Sequence, residues 1–248
     1  MKKLGLVGLG AFGRLIVKHM TPYADIVAFD PSPQAEAFAR QNGIAFGTLA
    51  EVAQADYVVI ATPVEKIRDA VRALRPHLRP GTVVMDVASV KVLPARILQE
   101  ELPADVDVVC THPLFGPQSA KDGLAGLRVV VCPLRGDHAD KVTAFLSSTL
   151  DLKVIVTTPE EHDREMAAVQ GLTHMIAKVM VEMEPLPQKL TTRSFDLLMQ
   201  VVEMVRYDSP ELFLAIQRDN PFSADVRSKF FAKADALRDY LDSSDAQS

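Results

Sequence analysis

The chain has 248 residues, 48% of them hydrophobic and 24% charged, the balance of a globular protein with one large domain or two modest ones. A net charge of −5 leaves no electrostatic footprint for nucleic acid, and no apolar run approaches the roughly 18 residues of a membrane span. Cys110 and Cys132 lie within or beside strand-like runs and argue against a disulfide framework. Met1-Lys2-Lys3 leads straight into a strand, not into a secretory leader, so a cytoplasmic protein is expected.

The first strand, Leu4 to Val7, is followed at once by Gly8-Leu9-Gly10-Ala11-Phe12-Gly13 and then by helical spacing from Arg14 to Met20. This is the dinucleotide-binding fingerprint in its required context. Gly8 makes the tight turn, Gly10 lets backbone approach a pyrophosphate, and Gly13 lets helix pack on strand. The pyrophosphate then meets free N–H groups at the helix N-terminus. A second strand, Ile26 to Phe29, ends in Asp30. An acid there accepts hydrogen bonds from the adenosine ribose and repels a 2′-phosphate, so NAD is the expected cofactor. Pro31-Ser32-Pro33 follows, with no Arg to counter that choice.

The alternation continues. Asp56 to Ala61 reads as a strand ending in Ala61-Thr62-Pro63, a turn that can lie along the cofactor. Val64 to Leu74 is helical, Thr82 to Met85 a strand, Val92 to Leu102 helical, and Val106 to Cys110 a strand. Arg128 to Cys132 and Val154 to Val156 are further strands around an Asp137–Leu150 helix. Such regular alternation predicts a doubly wound parallel sheet over residues 1–157. From Thr158-Pro159-Glu160-Glu161, a helix start with Thr as N-cap, no strand signal remains. Helices at about 159–184, 189–207, 210–219 and 221–242 make residues 158–248 an all-helical substrate and dimerisation domain, with a frayed tail from Asp242.

Two stretches stand at strand ends, where open α/β sheets bind ligands: Asp86-Val87-Ala88-Ser89-Val90-Lys91 and Thr111-His112-Pro113-Leu114-Phe115-Gly116-Pro117. Pro113, Gly116 and Pro117 forbid regular structure, so His112 is expected on a stiff loop beyond its strand. A His there titrates near neutrality and can serve as a base, although alone it could merely tether the loop. In the helical domain Gln170, Gly171, His174 and Lys178 share one face by spacing. By itself His174 reads as a satisfied interface histidine.

Taken together, the Gly-rich loop, the Ser89-Val90-Lys91 and His112-to-Pro117 stretches, and Glu161-His162-Asp163 followed by Gln170 to His174 resemble the arogenate/prephenate dehydrogenase family of tyrosine biosynthesis. The likeness spans nearly the whole chain and is greatest to short, plant-like arogenate dehydrogenases. It implies an NAD-dependent oxidative decarboxylation in which hydride leaves ring C4, carbon dioxide leaves C1, and the ring becomes aromatic. It implies His112 as acceptor of the C4 hydroxyl proton, with Ser89 sharing that hydroxyl and orienting nicotinamide. Gln118, Gln170, Thr173 and His174 are implied substrate contacts. Lys91, Lys121, Arg128, Arg193 and Arg206 are candidate cations for the substrate carboxylates, each also readable as a solvated surface charge. The resemblance implies Met204 at the position where prephenate-specific members carry an Arg, and Asp208 as the group that could meet the amino group that arogenate has and prephenate lacks. Arogenate is therefore the expected substrate and a homodimer the expected assembly. No metal, membrane or nucleic-acid partner is expected.

Three rivals differ in what they ask of the chain. Prephenate dehydrogenase needs the same His112 but a cation in the helical domain. A β-hydroxyacid dehydrogenase would use a lysine such as Lys178 and leave His112 without a role. An NAD-sensing protein would need neither Ser89 nor His112.

Overall fold

A computed structural model describes residues 1–245 and divides the chain into two compact units, Met1–His162 and Asp163–Ser248. The first is built on one eight-stranded sheet in the order β3-β2-β1-β4-β5-β6-β7-β8. Its strands are β1 (Lys2–Val7), β2 (Ala24–Phe29), β3 (Ala45–Phe46), β4 (Tyr57–Ile60), β5 (Val83–Asp86), β6 (Asp107–Pro113), β7 (Arg128–Arg135) and β8 (Lys153–Val156). The reversal of order beside β1 places the switch point at the carboxyl ends of β1 and β4, where the Gly-rich loop leaves the sheet.

Helices α1 (Ala11–Met20), α2 (Pro33–Gln41), α3 (Leu49–Val52), α4 (Ile67–Leu74), α5 (Val92–Glu101) and α6 (Ala139–Ser148) connect these strands. The central strands are Val-rich and buried on both faces. Val58, Ile60, Val84, Val108 and Cys110 pack with Ile67, Val71 and Leu74 of α4 and Leu98 of α5. Leu4, Leu6, Ile26 and Ala28 pack with Val17 of α1 and Ala35 and Ala39 of α2. Each fully buried Leu, Ile or Val adds about 1.5–3 kcal/mol by leaving water.

Three features of the first unit depart from the sequence-based expectation. The segment between β2 and β4 holds α2, β3 and α3, which were not anticipated. The sheet is mostly but not wholly parallel, because β7 pairs antiparallel with β6. A parallel return needs a crossover of a dozen or more residues, usually a helix. Residues 114–127 contain Gly116, Pro117, Gly123 and Gly126 and form turns instead. Most important for the site, β6 does not stop at Cys110. It runs to Pro113, with His112 opposite Val130 and Pro113 opposite Val129. Proline biases the residue before it towards extended backbone, so Pro113 prolongs the strand through His112.

The second unit is helical: α7 (Pro159–Glu182), whose first turn lies in the first unit, α8 (Arg193–Val205), α9 (Pro210–Leu214) and α10 (Ser223–Asp245). Thr158 caps as its sequence predicts, accepting from the Glu161 amide, and Ser209 likewise accepts from the Leu212 amide. A π-helical stretch, Ala215–Asp219, follows α9 where continuous α-helix was expected. There the Gln217 amide donates to the Gly171 carbonyl at 2.8 Å, and Asn220 Nδ2 donates to the Asp163 carbonyl at 2.7 Å. Where a frayed tail was expected from Asp242, α10 continues to Asp245; residues 246–248 lie outside the described residues. No helix among the described residues is long and apolar enough to cross a membrane.

Candidate functional site

The Gly-rich loop has the shape its sequence demands. Gly8 adopts φ +103°, and a Cβ there would meet the Ala61 carbonyl oxygen at 2.6 Å, so both backbone and space exclude a side chain. At Gly13 a Cβ would stand 2.1 Å from the Gly8 carbonyl oxygen, which is the close helix–strand approach. At Gly10 a Cβ would meet nothing within 4 Å, leaving open space where a ligand can reach backbone. Gly10 is the N-cap of α1 without a side-chain cap bond, and the first turn carries no acid. The free N–H groups and the helix dipole there suit a pyrophosphate.

Asp30 directly follows β2 beside this loop. Its carboxylate accepts from the Leu9 amide at 2.7 Å and the Ser32 amide at 2.8 Å, so its place is fixed from two sides. Each oxygen keeps a lone pair for a ribose hydroxyl. Leu9 is buried; Ala11 is exposed, and Phe12 is half-buried with its ring 6.2 Å from that of Phe115. Ala61 donates its amide to the Val7 carbonyl, and Pro63 caps a short 3-10 turn. Between them Thr62 Oγ1 is buried without a hydrogen-bond partner, an orphan polar atom beside the loop. Glycine cradle, bare helix terminus, placed acid and orphan hydroxyl together fit a dinucleotide.

His112 is 4% exposed, held within β6 and not on a loop beyond it. Its Nδ1 lies 2.8 Å from Nε2 of His162, with the rings edge to face at 5.0 Å between centroids. His162 stands in the first turn of α7, where its own amide donates to the Thr158 carbonyl. If His112 is to accept a proton through Nε2, its Nδ1 must carry hydrogen and His162 must accept it. Burial, the neighbouring His162 and the Lys91 cation hold the His112 pKa well below the ordinary value, so the ring is neutral at physiological pH. The partnership was missed in sequence; the visible signal was a His within the Thr158-Pro159 helix start.

Beside this strand, β5 ends in Asp86 and leads into the half-buried Ser89 and then Lys91. Lys91 is neither a surface charge nor a spare cation. It is fully buried, paired with Asp86, and donates to the Thr111 carbonyl at 2.6 Å. Gln118 sits exposed on the turn after Pro117, as do Lys121 and Arg128 on the following stretch. The apolar cavity of about 350 Å³ between α1 and α6, lined by residues such as Leu4, Val59, Met85 and Phe145, includes none of Asp30, Ser89 or His112.

In the helical unit, His174 Nδ1 lies 3.7 Å from Asp208 Oδ2. Burial lowers the His174 pKa to about 4 and raises that of Asp208 to about 6. Gln170, one turn before His174, has a buried Oε1 with no partner. Thr173 is half-buried, its hydroxyl donating to the Val169 carbonyl at 2.7 Å. Arg206 does not stand ready for a substrate carboxylate: Glu184 and Glu203 both bind its guanidinium. Arg193 is exposed, as is Met204. Lys178 is exposed and pairs with Glu182 at 2.9 Å.

Residues 13–158 match the model of the prephenate dehydrogenase nucleotide-binding domain, and residues 158–248 that of the prephenate dehydrogenase dimerization domain. "Arogenate dehydrogenase 1, chloroplastic" from Arabidopsis thaliana is 26% identical over 96% of this chain and 39% of that protein. A probable arogenate/prephenate dehydrogenase from Methanocaldococcus jannaschii is 28% identical over 77% of this chain and 45% of its own length. The chain thus spans less than half the length of these two relatives. Among solved structures, prephenate dehydrogenase from A. aeolicus, in complex with hydroxyphenyl propionate and NAD+, has the same fold. Its TM-score is 0.78 at 21% identity, covering 97% of this chain and 91% of that one. Synechocystis arogenate dehydrogenase gives a TM-score of 0.72 at 20% identity, covering 97% and 92%. With two adjoining domain models of one family matched from residue 13 to the last, the chain belongs to the prephenate dehydrogenase family.

Proposed function

We propose that this protein is an NAD-dependent arogenate dehydrogenase that forms tyrosine. One observation carries the dehydrogenase reading: a buried histidine at a strand end whose Nδ1 is held by a second histidine. Bound NAD supplies the acceptor for the hydride that leaves ring C4. His112 Nε2 takes the proton of the C4 hydroxyl as that carbon gains carbonyl character. The lone pair of His162 Nε2 then stabilises the imidazolium through the Nδ1–H bond. Ser89, on the loop beside β6, shares the C4 hydroxyl and helps orient it. Carbon dioxide leaves C1, and aromatisation makes the step strongly downhill, so positioning and one proton acceptor suffice.

Preference for arogenate over prephenate is supported by the helical unit. Asp208 is an exposed residue whose side chain, 31% accessible, lies beside His174 and offers a carboxylate to an ammonium, while Arg206 is already neutralised by two glutamates. Gln170, Thr173 and His174 complete the proposed substrate contacts. The same unit exposes Val169, Val179, Met183 and Tyr207, apolar surface in keeping with a homodimer through these helices. Two free, buried cysteines accord with a reducing cytoplasm.

The deciding experiment follows nicotinamide reduction with arogenate and prephenate, each against NAD and NADP. Turnover of arogenate with NAD, and little of prephenate, is expected. Preference for prephenate would keep His112 but overturn the role given to Asp208. Silence in all four assays would favour an NAD-sensing protein. In the same assays Asp30→Ser is expected to relax the preference towards NADP. Unchanged selectivity would mean that Asp30 does not face the ribose.

A further inference from the structure

Lys91 is a fully buried cation in a chain with ample surface for lysines. Such a pair with Asp86 is an expensive way to hold a fold, since an apolar pair of similar volume is often as stable or more so. Its bonds link two strand ends. Asp86 Oδ2 accepts from Lys91 and from the Ala88 amide at 2.9 Å. Lys91 Nζ donates to the carbonyl of Thr111, the residue before His112. Thr111 Oγ1 returns to the Asp86 carbonyl at 2.6 Å. The Asp86-to-Lys91 loop, which carries Ser89, is therefore fastened to the end of β6, which carries His112.

We propose that Lys91, with Asp86, is a positioning residue that sets the spacing of Ser89 and His112 for proton removal. The proposal rests on the reading of His112 as the base. The groups that bear on this histidine are His162 from α7 and Lys91 from the loop before α5; Asp86 of β5 and the Cys110 thiol face Lys91. With Lys91 gone, one of the causes that keep the ring neutral is removed, and the base should protonate at higher pH. That shift follows from the charge alone; positioning is read in kcat at unchanged KM and NAD affinity, which a lysine serving only the fold would leave as they are in a folded variant.

The test uses Lys91→Met and the double variant Asp86→Asn with Lys91→Met, which removes both charges and avoids stranding a buried carboxylate. The readouts are NAD binding by fluorescence, KM and kcat for arogenate against pH, and NMR titration of the His112 ring. In whichever variant folds, NAD affinity and KM should be little changed and kcat about 10²-fold lower, the cost of a displacement near 1 Å. The acid limb and the His112 titration should both move upward in pH. A double variant with wild-type kcat and an unmoved acid limb overturns the proposal. His112→Asn run alongside separates the two claims. If it is inactive while the double variant is unimpaired, only the role of Lys91 falls; if it is active, the reading of His112 falls too.

Discussion

Replacing His112 by Asn is expected to lower kcat for arogenate by about 10²–10⁴-fold, the range for loss of a positioned general base. NAD affinity should hardly change, because the Gly-rich loop and Asp30 do not touch this side chain. Asn keeps a polar group of similar size but takes no proton at Nε2. The wild-type profile makes a companion forecast. His112 must be neutral to work, and its pKa lies well below the ordinary 6.5. Activity governed by this group should therefore be flat through neutral pH and fall only in more acidic solution, below that ordinary value. An acid limb at or above it, or an active Asn variant, would remove His112 from the chemistry.

Asp208→Asn is expected to cost about 10–10²-fold in kcat/KM for arogenate, the worth of a hydrogen bond to a charged group, while prephenate turnover changes little. Burial raises the Asp208 carboxyl from 3.8 to about 6. The carboxylate that would bind an ammonium is thus present above about pH 6 and lost below it. KM for arogenate should rise as pH falls through 6, and the Asn variant should lack that rise. The sign for stability is opposite. A folded-state pKa above the unfolded one means the fold is favoured with the proton on, and that contribution is lost as pH rises from about 4 to about 6. At neutral pH the Asn variant should therefore melt no lower than wild type. Equal loss on both substrates would mean that Asp208 supports the unit without reading the amino group.

Much of this protein is legible one residue after another. Gly8, Gly10 and Gly13 between a strand and a helix, with Asp30 closing the next strand, describe a local unit whose geometry follows from backbone sterics. The caps at Thr158 and Ser209 are equally local, since a hydroxyl bonds an amide three residues on. Even the overlooked α3 carries a readable capping box, Thr48 with Glu51. Its four residues are too few for periodicity to register.

Other features depend on pairings that no window of sequence contains. His112 was expected on a loop because Pro113 and Gly116 break structure, yet β7 returns antiparallel and carries the ladder through Pro113. His162, fifty positions later, becomes the partner of His112 because a helix start and a strand end meet in space. Lys91 and Arg206 read as available cations until the carboxylates around them are seen. Sequence by itself determined the dinucleotide unit and the succession of strands and helices, because steric and periodic rules act over a few residues. Tertiary structure alone decided strand direction at β6, the pairing of His112 with His162 and which charges are already neutralised. Those depend on desolvation and on partners far away along the chain.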